Sequence, residues 1–129
     1  MECTIEFRVR YAETDQMKFA HHAAYIVWFE MARIELLRKI DLSYAQLERD
    51  GLLLPVLEVN ARFFKPAFFD DLLQIRARFN EIVKARLRID YQVYRDEQRI
   101  CEGYSVHAFM NSAGRPVRPP QFFLEKIRK

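Results

Sequence analysis

The chain has 129 residues, half of them hydrophobic and 14% aromatic, with a formal net charge of +3. That length predicts one domain over residues 1–129 with a core that needs no staples, and so small a charge does not demand a nucleic-acid partner. The two cysteines, Cys3 and Cys101, lie far apart and outside any metal-ligand spacing, so they read as free thiols of a reduced, cytoplasmic compartment. No apolar run approaches the roughly 20 residues of a membrane span, and residues 1–4 carry no signal-peptide pattern.

In chain order, Ile5, Phe7 and Val9 alternate with Glu6, Arg8 and Arg10, which predicts a strand with one apolar and one charged face. A polar turn carrying Asp15 follows, then His21-His22. Tyr25, Trp28, Phe29, Ala32, Leu36, Leu37 and Ile40 recur at spacings of three and four and predict a helix over 25–40, roughly 24 Å long. Ile26, Val27, Met31 and Ile34 give it a second apolar flank, so it needs cover on most sides. Residues 41–51 predict a short connecting helix capped by Ser43 and ended by Gly51. Alternation predicts four further strands, at 57–63, 73–79, 87–93 and 100–111, the last with Gly103 as a candidate bulge. Residues 121–129 predict a short amphipathic tail of a helical turn or two.

One strand, one long helix and four consecutive strands with short connections give an α+β order with antiparallel neighbours, a sheet curled around one helix. The adjacent pairs Phe63-Phe64, Phe68-Phe69 and Phe122-Phe123 cannot hide on one face of a strand, so cover by another subunit is expected.

The chemistry concentrates before the helix. Asp15 lies seven residues ahead of His22, and residues 22–24 offer no Ser, Thr, Asp or Asn to cap the first amides. A carboxylate beside an uncapped helix N-terminus pairs a nucleophile or base with oxyanion stabilisation, as attack on an acyl carbonyl requires. On spacing alone, an exposed loop aspartate and a water-capped helix fit as well. Glu30 is either a second carboxylate of the site or an ion-pair partner of Arg33. The three histidines show no metal-binding spacing, the serines no nucleophile-elbow context, and three glycines leave no phosphate-cradling loop. Lys65, Lys84, Arg86, Arg88, Arg115 and Arg118 are either anchors for phosphates or solvated charges. Tyr25, Trp28 and Phe29 are core residues first and pocket lining second. The arginine-rich strand faces around Phe64 and Tyr94 keep a nucleic-acid-binding sheet open as a last reading.

Tyr11, Glu13-Thr14-Asp15, His21-His22 and Tyr25, then Trp28-Phe29-Glu30, Ala32-Arg33 and Glu35-Leu36-Leu37-Arg38, stand in an order that resembles the hotdog-fold acyl-CoA thioesterases. The likeness is to the branch of 4-hydroxybenzoyl-CoA thioesterase and the YbgC-like enzymes. Phe64-Lys65-Pro66-Ala67, the run from Ile89 to Arg95, and Glu102-Gly103 extend it over nearly the whole chain. The resemblance implies a five-stranded antiparallel sheet wrapped around the central helix, in a homodimer or tetramer with sites at the interface. It implies hydrolysis of an acyl-CoA or acyl-carrier-protein thioester, with no cofactor, coenzyme A being part of the substrate. Asp15 takes the place of the catalytic carboxylate, and the backbone N–H of His22 that of the carbonyl donor. Tyr25, Lys18, Phe29, Pro66, Lys84 and Arg86 make up the expected substrate-binding set. Two positions depart from the family pattern: Lys18 stands where glycine is usual, and Ala24 where asparagine is. Those departures keep a non-catalytic acyl-CoA or acyl-carrier-protein binding module as the alternative.

Overall fold

The computed structural model describes residues 1–128. Strand β1 (Glu2–Arg8) leads through a 3-10 turn at Tyr11–Glu13 into helix α1 (His22–Lys39). Helix α2 (Tyr44–Arg49), a two-residue strand β2 (Leu52–Leu53) and strands β3 (Val56–Phe63), β4 (Leu72–Val83), β5 (Arg86–Arg95) and β6 (Gln98–Ala108) follow. A short β7 (Met110–Asn111) and helix α3 (Gln121–Ile127) complete the order. The main sheet runs β1-β4-β5-β6-β3 with every neighbour antiparallel, the α+β hotdog arrangement. No helix among the described residues is long and apolar enough to cross a membrane.

The period-two pattern places the core. Leu73, Ile75 and Ala77 of β4, Leu87, Ile89, Tyr91 and Val93 of β5, and Cys101 of β6 point inward and are buried against Ala24, Tyr25, Trp28, Phe29, Ala32, Leu36 and Leu37 of α1. The alternate residues of the same strands, Arg76, Arg78, Arg88, Gln92 and Tyr104, face out. Helix α1 begins three residues before its apolar period does, because the period marks only the face that packs and not where the backbone starts to coil.

Two expectations change, and one sheet edge stays open. The predicted strand 100–111 breaks at Phe109: the Phe109 amide turns to the Ala85 carbonyl at 2.9 Å, and β7 pairs instead with β2. Gly103 is no bulge. It pairs in register with Tyr91 and Ala61, and glycine is needed there because a Cβ would run into the Asn60 carbonyl and the Phe29 ring. The apolar residues of β3 are not core, since β3 is the sheet edge and Val56, Leu57, Val59 and Phe63 stay 38–50% exposed.

Candidate active site

Residues 13–21 fold back as a small hairpin. Thr14 pairs with Ala20, the Asp15 amide donates to the Phe19 carbonyl at 2.9 Å, and the His21 amide donates to the Glu13 carbonyl at 3.0 Å. At its tip Asp15 Oδ1 accepts from the amides of Met17 (2.8 Å) and Phe19 (3.3 Å), the self-capping that suits aspartate to turns. Asp15 is exposed, and its Oδ2 accepts no hydrogen bond from the described residues. Lys18 stands at φ +69°, the left-handed conformation that glycine adopts without strain. The hairpin is fastened sideways to the loop before β4 by the Phe19–Phe68 bridge and by the Ala20 amide on the Ala67 carbonyl at 2.8 Å.

Where the hairpin ends, α1 begins. His21 is its N-cap residue with no side-chain cap, and no acidic residue occupies the first turn. The Ala24 amide turns back to the His21 carbonyl at 3.0 Å, whereas the amides of His22 and Ala23 donate to no described residue. Two donors and the positive end of an 18-residue helix therefore open toward the surface. The His22 ring does not share in this; it stacks on Phe63 of β3 at 4.1 Å, nearly parallel. Asp15 makes no hydrogen bond to the His22 amide: three extended steps of chain, roughly 10 Å, lead from Phe19, opposite Asp15, to His22.

The hairpin tip carries an exposed carboxylate and the helix start carries unused amides on one short segment, and a family model described as thioesterase-like superfamily matches residues 9–127. The chain belongs to this thioesterase-like superfamily. YneP of Bacillus subtilis (strain 168) is 33% identical over 89 residues, 69% of this chain and 64% of that protein, so the match spans a little under two thirds of that relative. The crystal structure of TT1821 from Thermus thermophilus has a TM-score of 0.92 at 33% identity, covering 97% of this chain and 96% of that one. The DHNA-CoA thioesterase of Staphylococcus aureus has a TM-score of 0.89 at 25% identity, covering 96% of this chain and 85% of that one.

In this thioesterase-superfamily chain the expected site residues separate into three places. Lys18 and Pro66 are exposed beside the hairpin, and the Pro66 carbonyl accepts from Arg95 at 2.9 Å. Tyr25 and Phe29 lie in the core of the protomer. Tyr25 is 2% exposed, 4.5 Å from Trp28 and 4.9 Å from Phe63, and burial pushes its hydroxyl up to about 12, so it stays protonated. Phe29 is fully buried and stacked on Tyr91 at 4.4 Å, in keeping with the core place expected for it first. Lys84 and Arg86 sit at the β4–β5 turn, whereas the hairpin lies by Arg95 at the other end of β5, roughly 30 Å along the strand. One chain does not bring them to Asp15.

Glu30 and Arg33 form no ion pair. Glu30 faces out, while Arg33 is buried and its Nη1 donates to the Tyr91 hydroxyl at 3.1 Å. From there a buried chain runs through Ser105 (2.6 Å) to His107 Nε2 (2.8 Å), whose Nδ1 meets the Leu54 carbonyl at 3.0 Å. Ser105 and His107 have the spacing of a nucleophile and its base, but each is 1% exposed, which denies an acyl group access. Desolvation, reinforced by Arg33, pushes His107 down to about 4, so it is neutral. Sequence reasoning missed this chain and the buried carboxylate of Glu13, because both link residues whose separation in sequence, up to 58, follows no local period.

Proposed function

We propose that this chain is an acyl-CoA thioesterase in which Asp15 is the reacting carboxylate and the amides of His22 and Ala23 hold the thioester oxygen. One observation carries the reading: a carboxylate with an uncommitted oxygen is fastened by hairpin pairing to an uncapped helix N-terminus. Asp15 is exposed, so water and a thioester can both reach its carboxylate. As general base it takes a proton from water while the water oxygen bonds to the carbonyl carbon; as nucleophile it forms that bond itself, and water then cleaves the anhydride. Either way negative charge moves to the former carbonyl oxygen, where two backbone donors and the helix dipole stabilise it. The carbon–sulfur bond breaks next, and a thiol of pKa about 8.5 leaves without needing a strong general acid.

Supporting cations come from a second copy. Antiparallel pairing of β3 with β3 of a second chain places the start of one strand beside the end of the other. The second copy's β5 start, with its Lys84 and Arg86, then approaches the Phe63–His22 end of the first. Two cations there suit the phosphates of coenzyme A or the acidic surface of an acyl carrier protein.

The second reading, binding without turnover, is favoured by the use of Asp15 Oδ1 to cap its own turn. Free-thiol release from aromatic, short-chain and long-chain acyl-CoA separates the two. Wild type should release thiol from at least one, and Asp15→Asn should lose about 100-fold or more in kcat. Tight binding with no release by the wild type selects the binding module, and turnover that survives Asp15→Asn refutes the aspartate.

A further inference from the structure

Glu13 is the one acidic side chain buried among the described residues, and the chemistry above does not use it. Its Oε2 accepts from Trp28 Nε1 at 2.7 Å and from Arg10 Nη2 at 3.3 Å, and its Oε1 accepts from the Arg10 amide at 2.7 Å. Trp28 is an immovable post: fully buried, it is wedged 5.1 Å from Phe7 and 4.5 Å from Tyr25. Glu13 also holds the helix by its main chain, through the His21 amide on its carbonyl. It thus grips α1 at the N-cap residue and again about two turns later. Asp15 lies two residues beyond this grip, in a hairpin that closes where Ala20 pairs with Thr14, one residue before the N-cap His21 of α1.

We propose that Glu13 is a positioning residue for the thioester chemistry: its carboxylate, bridging the Trp28 indole and the Arg10 amide, fixes where the Asp15 turn stands relative to the amides that open α1. This rests on the roles given above to Asp15 and the helix start. Both oxygens of Glu13 accept, so the ionised form is the one that fits, and a neutral amide at this position turns an NH2 toward one of the two donors. Burial pushes the Glu13 carboxyl up, but the hydrogen bonds from the Arg10 amide, the Trp28 indole and the Arg10 guanidinium outweigh it and hold the group below its ordinary value. Misplacing a reacting group by about 1 Å costs on the order of 100-fold in rate, so a carboxylate that sets this placement acts on kcat before it acts on substrate binding.

The test compares Glu13→Gln, Trp28→Phe and the double variant with wild type, using whichever of benzoyl-, butyryl- and lauroyl-CoA the wild type hydrolyses fastest. Each single variant should lose roughly 10- to 100-fold in kcat with KM changed by less than about threefold, and the double variant should be no worse than the poorer single. Amide exchange gives a second readout that needs no turnover. The Phe19 and His21 amides should lose roughly tenfold in protection in Glu13→Gln, while amides of β5 and β6 keep theirs. A kcat within about twofold of wild type, losses that multiply in the double variant, or unchanged exchange at Phe19 and His21 overturns the proposal. Asp15→Asn run alongside keeps the two claims apart. If turnover survives that change, or the wild type has none, the aspartate reading fails by itself, and the exchange measurement alone decides whether Glu13 holds the turn.

Discussion

Lys18 shows how one side chain reports on the backbone beneath it. The hairpin needs a left-handed residue between Met17 and Phe19, and Lys18 adopts φ +69° to supply it. A residue with a Cβ pays roughly 1 kcal/mol there, which the two amide bonds to Asp15 Oδ1 and the flanking pairings with Ala20 and Phe68 sustain. Lys18→Gly removes that strain while loosening the unfolded chain by a comparable amount, so the net gain should be at most about 0.5 kcal/mol, seen as a rise of up to about 2 °C in a thermal melt. A fall in melting temperature would mean that the lysine side chain contributes a contact of its own.

At the level of elements, α1 is seated on the sheet by two kinds of force. Apolar burial along Trp28, Phe29, Ala32, Leu36 and Leu37 supplies most of the energy. The polar chain from Arg33 through Tyr91 and Ser105 to His107 and the Leu54 carbonyl joins α1, β5, β6 and the segment before β3, and sets which registers are compatible. The chain is not fully satisfied, for Arg33 Nε is buried with no partner among the described residues. Its other end is pH-sensitive. His107 stands near 4 in the folded protein, below the ordinary 6.5, so the unfolded state binds the extra proton. Stability is therefore full above about pH 6.5 and falls as pH drops toward 4, by about 2 kcal/mol between about pH 7 and about pH 5. Urea titrations across that range should show the loss, and His107→Gln should flatten it; an unchanged slope would place the titrating group elsewhere.

For the molecule as a whole, the exposed surfaces say what the protomer lacks. Strand β3 is an eight-residue edge carrying Val56, Leu57, Val59 and Phe63 in the open, and α1 leaves Ile26 and Val27 47% exposed on its outer flank. An unpaired apolar edge of this length is covered or it aggregates. The outer sheet face differs. Asp90 pairs with Arg78 and Arg88, and Glu102 with Arg62 and Arg99, so two carboxylates stand among four arginines on a solvated face that keeps a positive excess. We expect the wild type to sediment as a dimer or a multiple of it. Val59→Lys should yield monomers of unchanged far-ultraviolet circular dichroism, with turnover lost because the phosphate-binding cations no longer reach the site. Monomeric wild type with full activity would refute both the pairing and the shared site.

Much of this was legible in order of residues alone. The period-two runs gave the inward faces of β4 and β5, the three-four spacing gave the buried side of α1, and the lack of a capping side chain gave the open helix start, although the N-cap is His21 and not a residue of 22–24, because each follows from interactions within a few residues. The ordered motif from Tyr11 to Tyr25 pointed to the superfamily that the comparisons bear out. What only the tertiary structure decided is where those pieces meet. The same alternation that marks β5 as core marks β3, which lies at the edge and stays exposed. Glu30 faces solvent without an ion pair to Arg33, and Glu13 finds Trp28 across fifteen residues. Periodicity encodes which side of an element is apolar, whereas which neighbour covers that side, and which buried charge finds its donors, depends on long-range packing that no local spacing records.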